Sequence, residues 1–118
     1  MCLEAIYPSL EAARSVGSPT LVETLSCAKF KFNWHLNYVY SEDVAPLLPA
    51  GTVLHGIAWH DNTSANKMNN DPDALITWGN RTIDEMQEPW LNWYYMTPDE
   101  FKRELEERQA GRISAGSR

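Results

Sequence analysis

The sequence predicts an all-β fold, an antiparallel β-sandwich followed by one C-terminal helix, and three observations carry that expectation. Residues 20–40 alternate with period two: Phe30, Phe32, Trp34, Leu36, Tyr38 and Tyr40 share one face, and Lys29, Lys31, Asn33, His35 and Asn37 share the other. That is the pattern of a half-buried antiparallel strand. Several further short apolar segments are separated by turn signals rich in Gly, Pro and Asn, as in sandwiches. Finally, Thr97, Pro98 and Glu100 supply an N-cap, a proline at the first helical position and a glutamate at the third, a strong helix start.

Taken in order, residues 1–7 read as the partner of the long alternating strand, joined to it through a polar connection over 8–19 in which residues 10–15 form a short helical turn. A register with Tyr7 opposite Val22 also sets Cys2 opposite Cys27, so a cross-strand disulfide is geometrically open; two buried free thiols are the alternative. Pro46, Pro49 and Gly51 punctuate the chain before a strand over 52–60, apolar or small on both faces. Residues 61–73, rich in Asn and Asp, read as a long loop whose side chains cap their own backbone. A short strand over 74–78, a turn at Gly79 and Asn80, and a last aromatic strand over 88–96 follow, with Pro89 marking a bulge or an edge. The expected division is a sandwich over 1–97 and a helix with a frayed tail over 98–118. Phe30, Phe32, Trp34, Leu36 and Trp59 are the expected core.

Composition narrows the function classes. With 118 residues, 43% apolar and 22% charged, the chain suits one globular domain rather than a disordered segment. A net charge of −6 argues against non-specific nucleic-acid binding, which needs a basic surface to displace counterions. No apolar run approaches the roughly 20 residues that span a bilayer, and the first residues lack the basic and apolar regions of a signal peptide. Two cysteines without CxxC spacing suit neither a disulfide scaffold nor a zinc site.

The chemistry-bearing residues are few. His35, His55 and His60 stand at unrelated spacings: His35 on a solvated strand face, His55 on an apolar face as a buried histidine with one partner, and His60 at a strand end, as a hydrogen-bonded structural residue or a neighbouring imidazole donor. The loop over 61–73 offers hard oxygen ligands suited to calcium, but without the glycine and terminal glutamate of an EF-hand it reads as turn chemistry. Asn62 and Asn80 open N-glycosylation sequons. Trp90, Trp93, Tyr94 and Tyr95 read first as sandwich core, and second as a stacking surface. No Ser-His-Asp order or phosphate loop is present.

Met86 is the residue that points to a specific chemistry. The segments FNWHLNYVY over 32–40, LLPAGTVLHGIAWHDNT over 47–63 and RTIDEMQEPWLNWYYM over 81–96 together resemble the C-terminal catalytic domain of the copper type II, ascorbate-dependent monooxygenases, above all the bacterial members. The resemblance covers roughly residues 1–97. It implies a jelly-roll-like sandwich lacking its first strand or strands, an extracytoplasmic setting, and Met86 as the thioether ligand of one copper, a soft donor that favours Cu(I). It also implies a parent protein that hydroxylates C–H bonds with dioxygen, ascorbate acting as reductant. The chain departs from the pattern in one decisive respect: the family's His-x-His ligands have no counterpart here, nor does the domain carrying the second copper. The isolated chain is therefore expected to be inactive and to hold Cu(I) weakly. A non-catalytic β-sandwich used for binding or assembly is the alternative. In either case an open sheet edge predicts a homo-oligomer.

Overall fold

The structure, a computed structural model, describes residues 1–31 and 36–115. Three strands, β1 (Cys2–Ile6), β2 (Val22–Cys27) and β3 (Val53–Ile57), form one antiparallel sheet in the order β2-β1-β3. Helix α1 (Leu10–Ser15) lies between β1 and β2, and helix α2 (Pro98–Ala115) closes the chain. The expected sandwich is thereby corrected: the described residues contain one small sheet, and no second sheet faces it. Alternation marks which side of a strand would be buried, but it does not supply the partner that buries it.

Strand β1 is central and pairs on both sides. Cys2 stands opposite Cys27 and Leu3 opposite Ser26, after which a β-bulge shifts the register by one, so that Glu4 faces Thr24 and Ile6 faces Val22. The register expected from sequence is thus right at the cysteines and one residue out at Tyr7, because a bulge adds an unpaired residue to one strand. Met1 and Ala28 exchange two backbone hydrogen bonds of 2.9 and 2.8 Å, which makes Cys2 and Cys27 the neighbouring non-hydrogen-bonded pair, where side chains come closest. Their Cα atoms are 4.1 Å apart and a disulfide joins them, resolving the choice against free thiols.

The core is small. Ala5, Tyr7 and Ala13 are buried, with Val16, Leu25 and Leu48 packed against them. Alternate residues of β1 thus face α1, and alanines at 5 and 13 let helix and strand approach closely. Helix α1 forms over the expected residues because both ends are capped. Ser9 Oγ accepts from the Ala12 N–H at 3.1 Å. At the other end the Gly17 N–H reaches the Arg14 carbonyl and the Ser18 N–H reaches that of Ala13, a Schellman closure that needs the left-handed φ of 93° adopted by Gly17. Tyr7 donates to Glu23 Oε2 at 2.7 Å across the strands. Burial first, then the hydrogen bond to the Glu23 carboxylate and its charge, push the Tyr7 phenol above its ordinary range.

Helix α2 begins as predicted. Glu100 Oε2 accepts from the Thr97 N–H at 2.8 Å while the Glu100 N–H reaches Thr97 Oγ1 at 3.3 Å, a capping box. It runs to Ala115, into the stretch expected to be a frayed tail. Phe101, Glu104, Leu105 and Arg108 form its half-buried stripe. Arg108 pairs with Glu104 at 2.7 Å and donates to the carbonyls of Ala45 and Glu42, while Gln109 reaches the Ser15 carbonyl, so α2 is pinned to the 41–45 turn and the end of α1.

Most of the predicted core lies elsewhere. Phe30, Leu36 and Trp59 are exposed, Trp59 by 69%, and Phe32 and Trp34 fall outside the described residues. Residues 74–78 make only an isolated bridge, Trp78 to Glu85, and 88–96 form no strand. The radius of gyration is 18.8 Å, against about 13.5 Å for a compact domain of this length. No helix among the described residues is long and apolar enough to cross a membrane.

Two predictions follow from the sheet. Reducing the disulfide, or replacing both cysteines by serine, should lower unfolding stability by about 3.5 kcal/mol, the loop-closure value for a loop of this length; an unchanged denaturation midpoint under reductant would refute the bridge. The Tyr7 proton is held more tightly in the folded than in the unfolded chain, so its contribution is complete below about pH 10 and is lost as pH rises further. The stability difference between the wild-type chain and Tyr7→Phe should stay constant up to that point and then narrow; a gap that widens there contradicts the buried hydrogen bond.

Candidate functional site

The residues around Met86 are set by one turn and the strand beside it. Arg81 and Asp84 close the turn: the Arg81 guanidinium makes three hydrogen bonds to the two Asp84 carboxylate oxygens at 2.8 to 3.2 Å, the Arg81 N–H adds a fourth at 3.0 Å, and the Asp84 N–H returns to the Arg81 carbonyl at 2.9 Å. Charge-assisted bidentate pairing of this kind fixes geometry as well as adding energy. The Arg81 hydrogen bonds hold the Asp84 carboxyl below its usual range, and the same contacts raise the Arg81 guanidinium. Gly79 makes room for the pair, because a Cβ there would stand 2.2 Å from Asp84 Oδ2. The Glu85 N–H reaches the Thr77 carbonyl at 3.2 Å, so the chain leaves the turn at Met86 in a fixed direction.

The strand side comes from the exit of β3. His60 Nε2 lies 3.4 Å from the Met86 carbonyl oxygen, and the Asn62 amide donates to Glu85 Oε1 at 2.6 Å. Gly56 lets the same segment run on beside β3, where a Cβ would come 2.5 Å from Gln87 Nε2. Met86 and His60, distant in sequence, are therefore neighbours, and the Met86 side chain is 39% exposed. His55 takes up no place there: its Nδ1 lies 3.6 Å from Glu4 Oε2, its cross-strand partner. It has the single partner expected of it, but is exposed rather than buried. His35 falls outside the described residues.

The Asn- and Asp-rich loop spends its ligands on itself. Asp61 Oδ1 accepts from both the Thr63 hydroxyl and the Thr63 N–H, which lowers the Asp61 carboxyl; Asn66, Asn69 and Asp71 each accept the N–H two residues on. These are Asx turns, as the sequence suggested. Among the described residues no group of three or more His, Cys, Asp or Glu is arranged to hold a metal ion. Trp90, Trp93, Tyr94 and Tyr95, expected in the core, are all exposed, because nothing in the described structure covers that segment. The clamp between Arg81 and Asp84 went unread in the sequence; opposite charges three residues apart, just after Gly79 and Asn80, were the available signal.

No protein-family model, curated protein or solved structure matches this chain.

Because Asp84 is held in its ionised form, the clamp should survive as pH falls through the ordinary carboxylate range near 3.9 and open only below it. Asp84→Asn should open it at neutral pH, accelerating amide exchange at Arg81 and Glu85 and shifting the Met86 methyl and His60 ring resonances. Unchanged exchange in that variant would show that the clamp does not order the turn.

Proposed function

We propose that this chain contributes the thioether ligand, Met86, to a type II copper site in a copper- and ascorbate-dependent monooxygenase-like protein. The observation that supports it most is the placement of an accessible Met86 beside His60 on a turn locked by Arg81 and Asp84. A thioether and an imidazole are both copper donors, and the softer of the two favours the reduced ion. The donors do not amount to a self-contained centre: one thioether with one neighbouring imidazole falls short of a two-imidazole, one-thioether set, so the remaining ligands would come from polypeptide outside the described residues. Copper bound in such a set would supply dioxygen activation and one-electron chemistry. The chain's own part is to hold a soft donor in a fixed direction, while the Asn62 amide and His60 ring brace the segment that carries it.

The isolated chain should therefore bind Cu(I) weakly in competition with a Cu(I)-selective chelator, and should hydroxylate nothing in the presence of ascorbate. X-ray absorption of the loaded chain should contain a thioether sulfur scatterer that disappears in Met86→Leu, a variant of similar volume that leaves the fold intact. Tight Cu(I) binding that Met86→Leu leaves unchanged would sink the ligand assignment and leave the non-catalytic reading standing.

A further inference from the structure

The surface of this chain is far larger than a self-contained domain needs, and two uncharged aromatic segments contribute to the excess. The accessible area is 9963 Å², against about 6,500 Å² for a folded chain of this mass. Standard interfaces bury roughly 800 Å² on each partner, and obligate ones up to about 2,500 Å². The excess, of order 3,400 Å², is larger than either figure.

Residues 36–40 and 90–95 are among the exposed apolar stretches that make it up. Tyr38, Val39, Trp90, Trp93, Tyr94 and Tyr95 are between 65% and 89% exposed. No backbone group of either segment pairs with another backbone group among the described residues. Residues 36–40 line a groove of about 1080 Å³ together with Trp90 and Leu91 from the second segment and Leu3 and Ser26 from the sheet. Extended, alternating chain with free N–H and C=O groups beside an apolar face is a template for strand addition.

We infer that a second copy of this chain fills that groove, in a two-fold symmetric homodimer built on residues 36–40 and 90–95. Charge selects this occupant. Neither segment contains a charged residue, so two copies meet there without the repulsion that a net charge of −6 would produce elsewhere. The stretch leading into the first segment is basic, with Lys29 and Lys31, and the stretch leaving it is acidic, with Glu42 and Asp43. A two-fold axis runs the two copies antiparallel and brings the basic end of one toward the acidic end of the other.

Light scattering and sedimentation of the oxidised full chain test this inference. The expected result is a single species of twice the 13.5 kDa chain mass at micromolar concentration. Val39→Lys and Trp90→Lys, each at an exposed position lining the groove and outside the buried core, should raise the dimer dissociation constant by at least about tenfold, the mark of a residue central to an interface. Lys29→Glu with Lys31→Glu should weaken the dimer similarly, and adding Glu42→Lys with Asp43→Lys should restore it. Circular dichroism and disulfide content, unchanged in every variant, exclude unfolding as the cause. A monomer at all concentrations, a dimer indifferent to these substitutions, or open-ended assembly in place of a closed dimer would each overturn it.

Discussion

The antiparallel pairing of β1 with β2, covalently locked where Cys2 meets Cys27, is the constraint on which the other features rest. It closes the connection through α1, and that closure sets Ala13 and Val16 over Ala5 and Tyr7 to make the small core. A core of three buried residues contributes little hydrophobic stabilisation, and chains that cannot bury a large core commonly depend on a covalent staple. The second side of β1 then templates β3, whose exit carries His60 to the turn that ends at Met86. Without the first pairing there is no edge on which β3 can form, and no reason for residues 60 and 86 to meet.

What could be read from the sequence is what short-range chemistry decides. Helix α1, with Ser9 and Gly17 at its ends, the capping box of Thr97 and Glu100, the Asx turns after Asp61 and the alignment of the two cysteines each involve groups whose partners lie a few residues away or are dictated by one register. The register error at Tyr7 is instructive, since a bulge at one residue moved every later pair by one while leaving the cysteine end untouched. The sandwich was not legible in the same way. Alternation over 29–40 and the aromatic run over 88–96 describe a preference for a pleated, half-covered surface, and that preference is satisfied only when another strand or layer is present.

The neighbourhood of Met86 divides along the same line. The motif around it singles out the methionine as a candidate, whereas the approach of His60 to its backbone carbonyl depends on three long-range facts together: β3 pairing with β1, the absence of a Cβ at Gly56, and the turn locked by Arg81 and Asp84. Two of those facts concern glycines. At Gly56 and Gly79 the missing side chain is occupied by Gln87 and Asp84, so the segment carrying Met86 lies closer to the sheet than a bulkier residue would allow. The Arg81 guanidinium neutralises the ionised Asp84 carboxylate within the turn, the Asn62 amide caps the neighbouring Glu85 carboxylate, and the Met86 thioether adds no charge.

The exposed aromatic segments and the exposed thioether share a physical cause. Residues 88–96 continue directly from the Met86 turn, and their first residues already lie along β3, with Pro89 Cγ within 3.8 Å of where a Gly56 Cβ would be. A layer that paired with residues 90–95 would therefore extend the sheet beyond β3 and raise walls around Met86 as well. Burial of that kind would lower the local dielectric and exclude water near the thioether, conditions that strengthen every electrostatic interaction there. Covering the aromatic surface and completing the surroundings of Met86 are thus coupled, since the same residues, 88–96, must pair with a partner for either to occur.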